Sequence, residues 1–438
     1  MTGDEGRPPA GGLRRAARLA ALPAAHAGRS AVGLGRRLGG RSAEAVAAQV
    51  SARTAEQLFR TLGELRGGAM KVGQTLSALE AALPEELGTP YRDALVRLQE
   101  AAPPMPTAVV HRVLDESFPA GWRHLFASFD DRPVAAASVG QVHRAVWRDG
   151  SAVAVKVQYP GAAQALLADV GHLDRLVPVV RLAAPGLDAG ALFAELRDRL
   201  ADEVDYVLEA DAQTAFAAAF HDDPDVVVPE VLAVQDRVLV SRWLDGTPLS
   251  RVVREGSQQD RDRCGLLLVR LLLSSPRRAG RLHGDPHPGN FRLLADGRLG
   301  VLDFGSTEAV PAGWPAPLGR LMRALRDEDA GALHEVARSS GLVRGDEVDA
   351  AALLDLVGPY GAPLRAPTYR FERSWLQAQV RRTSDPRSPA ARAQRHLTVP
   401  ARSLLLQRVA VGLAGVLTLL DAEVAVDAEV RREVPGYA

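Results

Sequence analysis

The chain has 438 residues, an ordinary apolar fraction of 47% and a formal net charge of zero. That length allows a large core split into two or three units, and the zero balance excludes a molecule that binds nucleic acid through its overall charge. A single cysteine, Cys264, excludes an internal disulfide framework and suits a reducing compartment; its apolar helical surroundings imply a buried, inert thiol.

In chain order, charge is first uneven. Residues 6–43 carry eight arginines and no acidic residue. Arginine interrupts each apolar run, which excludes a secretory signal. A disordered or loosely helical basic arm at 1–41 is the leading reading. Reversible contact with anionic lipid comes second, and the composition also fits an organelle transit peptide. A helical extension is expected over 42–104. Ser42 to Arg66 places Val46, Val50, Leu58, Leu62 and Leu65 among the apolar positions of a helix. After Gly67-Gly68, a second helix from about Ala69 stops at Pro84 and carries Lys71-Val72-Gly73-Gln74. A third, about Glu85 to Gln99, ends before Pro103-Pro104-Met105-Pro106, the clearest boundary in the chain.

Residues 105–245 mix helix and strand signals. A short helix begins at Thr107. Residues 133–143 form a small-residue turn that includes Ala135, Ala136, Ala137 and Ser138. Ala145 to Trp147 is the outgoing strand, Asp149-Gly150 a hairpin turn, and Ala152 to Gln158 the return strand with Val153-Ala154-Val155-Lys156. A long helical stretch follows, broken near Pro185-Gly186. Its second part, about Ala191 to Phe220, holds Glu203, Asp205 and Glu209. Strand signals return at Val226 to Val228 and Arg237 to Trp243 as a second hairpin, whose far end Asp245-Gly246 closes before the chain hinges into a larger helical part over 246–438. There, Cys264 to Leu273 reads as a buried helix. Beyond Thr307 the chain reads as helical, with turns at Pro311, Gly341 and Pro359 and an exposed loop at 383–392. Leu404 to Leu420 is too short and too polar for a membrane span and reads as a buried amphipathic helix.

The chemistry concentrates at 283–305. Asp285 and Asn290 form a D-x-x-x-x-N pattern, and Asp303-Phe304-Gly305 follows a hairpin closed at Asp296-Gly297. Folding that hairpin brings Asn290 and Asp303 together, where oxygen ligands suit magnesium. Asp285 is then the candidate to orient or deprotonate an attacking hydroxyl. Lys156, on a rigid strand, is the candidate for the ATP phosphates, with Glu209 as the best carboxylate to hold it. The Ala135–Ser138 turn stands where a kinase carries glycines. Alanine restricts positive φ and adds methyl groups, so this turn is expected to cradle phosphate differently, with Ser138 as a candidate donor. Glu203 and Asp205 either hold Lys71 or form a solvated acidic face; at about 100° per residue Glu203 and Glu209 cannot serve one partner.

With these motifs in hand, the chain resembles the UbiB/AarF family of atypical kinases. The matching residues are Lys71-Val72-Gly73-Gln74 (KxGQ), the alanine-rich loop 135–143, Val153 to Lys156, Glu203-Val204-Asp205 (ExD), His283 to Asn290 and Asp303-Phe304-Gly305. The resemblance implies an α+β, two-lobed protein-kinase-like fold whose N-terminal helical extension packs over the active site. It implies that Lys71 and Gln74 belong to a regulatory lid with Lys71 meeting Glu203 and Asp205, that Glu209 pairs with Lys156, and that Asp285 is catalytic with Asn290 and Asp303 as magnesium ligands. ATP or ADP and Mg2+ are the implied cofactors, and lipid or quinone-precursor ligands the implied partners. Apart from the resemblance, the lack of a stretch that reads as a membrane span sets the expectation of a cytoplasmic place, peripheral at a membrane at most. Arg242, in the hinge segment Ser241-Arg242-Trp243, departs from the family pattern, because an acidic residue is expected there; the departure bears on adenine recognition, although backbone groups usually do that work. Two other readings compete: an aminoglycoside- or choline-type small-molecule phosphotransferase, and a non-catalytic nucleotide-binding regulator.

Overall fold

The computed structural model describes residues 104–137, 139–162, 204–310, 313–343, 348–384, 389–394, 397 and 401–438. The basic arm at 1–41, the extension with Lys71 and Gln74, Ser138 and the stretch ending at Glu203 lie outside the described residues.

A five-stranded antiparallel sheet positions half of the site. Its strands are β1 (Phe126–Ala137), β2 (Gly140–Trp147), β3 (Ala152–Gln158), β5 (Val231–Gln235) and β6 (Val238–Arg242), in the order β1-β2-β3-β6-β5. Successive residues of a strand face opposite ways, and β3 uses this fully. Val153, Val155 and Val157 are completely buried against helix α1 (Thr107–Ser117), through its Val110, Val113 and Leu114. Lys156 therefore projects from the other face. Trp122, Phe126, Phe129 and Trp147 close that core in edge-to-face contacts.

Two expectations change here. The alanines at 135–137 are not the turn itself: they end β1 and pair with Val142, Gln141 and Gly140. Cross-strand pairing overrides the bend that small residues suggest. The helix expected from about 191 to 220 has, in its described part, a start at Tyr206. Asp205 is extended (φ −95°, ψ 102°) and caps α2 (Tyr206–Ala219) by accepting from the Val207 and Leu208 amides.

The larger part is built on α4 (Gln258–Ala279), preceded by α3 (Leu249–Glu255). A capping box between Ser257 and Asp260 starts α4, and Gly280 in the left-handed region (φ 61°) ends it. Its Cys264, Leu267, Leu268 and Leu271 form a core with Phe216, Phe291, Phe304, Leu417 and Leu420. As the sequence leads one to expect, Cys264 is fully buried, and burial pushes its thiol up to about 12. The native protein should therefore resist a thiol-specific reagent such as DTNB at neutral pH and react with one equivalent once unfolded. Rapid native labelling would contradict this burial.

Strand β8 (Arg281–His283) follows α4, and β9 (Phe291–Leu293) and β10 (Leu299–Val301) form the expected hairpin, with Gly297 at φ 82° in its turn. The short β4 (Val226–Val227) runs parallel to β10, and β7 (Thr247–Pro248) pairs with β9. Val226–Val228 thus does not hairpin with the strand at 237–243; β5, unexpected from the sequence, does. Helices α5 (Ala316–Arg326), α6 (Ala330–Ser339), α7 (Ala350–Val357), α8 (Arg373–Ser384), α9 (Pro389–Gln394), α10 (Ala401–Leu420) and α11 (Val426–Glu433) complete this part. Three brief strands, β11 (Thr307–Ala309), β12 (Tyr369–Arg370) and β13 (Glu423–Val424), interrupt what reads as helix alone, and α8 and α9 occupy most of the loop expected at 383–392. The tail passes directly over α5: a Cβ at Gly319 would stand 2.0 Å from the Pro435 carbonyl oxygen. Among the described residues no helix is long and apolar enough to cross a membrane.

Candidate active site

Strand β3 and helix α2 bring the first pair together. Lys156 Nζ donates to Glu209 Oε1 at 2.8 Å and to Oε2 at 2.7 Å. The Glu209 side chain is 1% exposed and that of Lys156 14%. Asp303 Oδ2 stands 3.6 Å from the same ammonium. Burial opposes charge on Lys156, but Asp303 and Glu209 outweigh it and hold the ammonium charged, above the usual lysine range. Two of its three N–H groups face Glu209, which leaves one for an anion in the cleft.

The second half is fixed by backbone. Burial opposes the charged form of Glu209, while the Phe304 amide, in the segment after the hairpin, favours it. Phe304 is buried between Phe216 of α2 (centroids 5.1 Å apart) and His283 (5.8 Å). His283 is the residue whose role sequence reasoning missed. Its Nε2 lies 2.7 Å from the Asp303 carbonyl oxygen, which can only accept, so Nε2 carries the proton and Nδ1 accepts from the Asp285 amide at 3.4 Å. Beside it, Gly284 N donates to Ser306 O at 2.6 Å. Asn290 donates its Nδ2 to the Asp285 carbonyl at 3.0 Å, and its own carbonyl accepts from Leu302 N at 2.9 Å. Lys156, Glu209 and Asp303 thus meet directly, and the loop with Asp285 and Asn290 is joined to the Asp303 segment through His283 and the Leu302 amide.

Asp303 Oδ1 accepts from Gly305 N at 3.0 Å, and its side chain stays one-third exposed. With the Asn290 amide nitrogen committed to Asp285, its oxygen is the atom left for a cation. No cluster of three or more His, Cys, Asp or Glu gathers into a metal cage among the described residues. One carboxylate and one amide oxygen fit magnesium that takes its remaining ligands from water and phosphate.

At the far end of the cleft, Arg242 does not enter the site. It lies opposite Val153 in register, off the Lys156 face, and binds Asp149 at 3.1 Å, Glu230 at 3.4 Å and the Ser151 hydroxyl. The arginine that departs from the family pattern thus lies off the Lys156 face. Trp243 holds that end instead, with its indole N–H on Asp245 at 2.7 Å and the Arg144 and Arg292 guanidinium groups 5.0 and 6.0 Å from its ring. Ala135, Ala136 and Ala137 lie at the end of β1, and Asp205 is an exposed helix cap.

A model of the ABC1 atypical kinase-like domain matches residues 97–337. The chain is 33% identical over 306 residues to the mitochondrial atypical kinase coq-8 of Caenorhabditis elegans, covering 68% of this chain and 40% of that protein. It is 30% identical over 318 residues to the mitochondrial atypical kinase COQ8 of Saccharomyces cerevisiae, covering 71% and 62%. It spans about half the length of the curated relatives it matches. A solved Mycobacterium tuberculosis structure, the Rv3197–erythromycin complex, is 42% identical with a TM-score of 0.69, covering 91% of this chain and all of that one.

Proposed function

From the premise that this chain belongs to the ABC1 atypical kinase-like family, of the COQ8 type, we propose that it is a magnesium-dependent, ATP-using phosphotransferase or ATPase supporting isoprenoid-quinone or other lipid metabolism. The observation that carries this reading is the Lys156 ammonium held between Glu209 and Asp303, with Asp285 and Asn290 on the adjoining loop.

In this reading Lys156 binds the nucleotide phosphates through its remaining N–H, and Glu209 fixes its position. Asp285 accepts the proton of the attacking water or hydroxyl. Asn290 and Asp303 hold magnesium, which supplies charge neutralisation across the phosphates when bound. The β1–β2 hairpin with Ala135–Ala137 roofs the phosphates, and Ser138 donates to them. Lys71 and Gln74 lie in a lid that meets Glu203 and Asp205. The proposed division is a basic arm at 1–41, the extension at 42–104, the small lobe at 105–245 and the large lobe at 246–438. The arm brings the protein to an anionic membrane surface from the cytoplasmic compartment; the worm and yeast relatives are named mitochondrial.

The test is ATP hydrolysis by the full chain with and without magnesium, and with and without anionic liposomes. Slow magnesium-dependent hydrolysis, faster with liposomes, is expected; turnover unchanged after chelation would overturn the magnesium assignment. The mycobacterial relative's erythromycin complex favours a second reading, a phosphotransferase acting on a small hydroxylated molecule. A mass increase of one phosphate on erythromycin incubated with protein and ATP would select it.

A further inference from the structure

Tyr206 opens α2 three residues before Glu209 and is fully buried, yet its hydroxyl has no hydrogen-bond partner among the described residues. An unpaired buried O–H bears the full cost of its desolvation, and such groups are rare enough in native folds to call for an explanation. Its location supplies one. Gly140 pairs with Gln158 and Val142 with Lys156, so alternation directs the side-chain positions of Gly140, Val142 and Lys156 to one face of the sheet. The Cβ that Gly140 lacks would stand 2.9 Å from the Tyr206 hydroxyl. The phenol therefore fills the cleft face of the sheet beneath the β1–β2 turn, in the place of a Gly140 side chain. Val139 of that turn packs against the Tyr206 ring.

The Lys156 ammonium lies 5.0 Å from the centre of that ring. Burial raises the phenol above the ordinary tyrosine range, so it keeps its proton and can only serve an anion as a donor.

We propose that the Tyr206 hydroxyl is a second phosphate donor of the nucleotide site, acting beside Lys156 under the β1–β2 turn. This rests on the nucleotide reading of the cleft and adds to it a residue outside the lysine, loop and metal set. The O–H finds its partner only when a phosphate arrives, which is a gain confined to the bound state.

Tyr206→Phe tests it, because it keeps the ring, its packing on Val139 and its contact with Lys156 and removes only the hydroxyl. The full chain and the variant are titrated calorimetrically with Mg·ATP and Mg·ADP, with Lys156→Met alongside. The variant should melt at the same or a higher temperature without ligand and bind nucleotide roughly tenfold more weakly. Equal affinity in wild type and Tyr206→Phe overturns the proposal and leaves the nucleotide site standing. A lower ligand-free melting temperature also overturns it, since the hydroxyl would then have a partner within the fold. Wild type that binds neither nucleotide removes the nucleotide reading, and this inference with it.

Discussion

Asp285→Asn is expected to lower the turnover of Mg·ATP by roughly 10²–10⁴-fold, the usual worth of a positioned proton acceptor, while leaving nucleotide affinity within about twofold. The asparagine keeps the backbone carbonyl that accepts from Asn290 and the amide that meets His283, so the loop geometry survives. Asp303→Asn is expected to be as severe and to weaken binding as well, because it removes one of the two carboxylates beside Lys156 along with the candidate cation ligand. Steady-state hydrolysis together with calorimetric affinity separates the two. Full turnover by Asp285→Asn would mean that the reacting proton leaves by another route.

The second large effect is on stability. Gly319→Ala places a methyl group 2.0 Å from the Pro435 carbonyl and 2.8 Å from the Tyr437 amide nitrogen, and both obstacles are backbone. The tail cannot move aside cheaply, since Tyr437 is fully buried, bonded to Asp427 and covered by the Arg326 guanidinium 4.8 Å from its ring. A loss of about 3 kcal/mol is expected, read as a fall of roughly 3 °C in melting temperature for a chain of this length. Gly331→Ala in α6 is the matched control. Only the Asp329 side chain lies near, at 3.4 Å, so it should stabilise the protein by about 0.5–1 kcal/mol. Equal melting of the two variants would show that the tail does not rest on α5.

Much of this was legible before any coordinates. The Val153–Lys156 alternation announces a lysine on the reverse of a valine-packed strand, and Asp296-Gly297 between apolar runs announces the hairpin that sets Asn290 near Asp303. Local signals failed where partners are distant. Val226–Val227 looks like part of the neighbouring hairpin, but its partner β10 lies more than seventy residues on. Two-residue strands such as β12 and β13 are too short to show a period. Asp205 sits in an acidic run that suits a helix interior as well as a cap, so the start of α2 and with it the burial of Tyr206 could not be placed. His283 was visible as part of a motif, while its two-sided bonding depends on Asp303, twenty residues away.

That imidazole has a consequence for control. By gripping the Asp303 carbonyl with one nitrogen and the Asp285 amide with the other, it makes two segments behave as one rigid piece. The Phe216 ring, 5.1 Å from that of Phe304, packs the same piece against α2. Swinging the Asp-Phe-Gly segment outward would break these clamps together and strip Phe304 from its aromatic neighbours. A site wired in this way is more cheaply governed by who is admitted to it than by dismantling what lies inside.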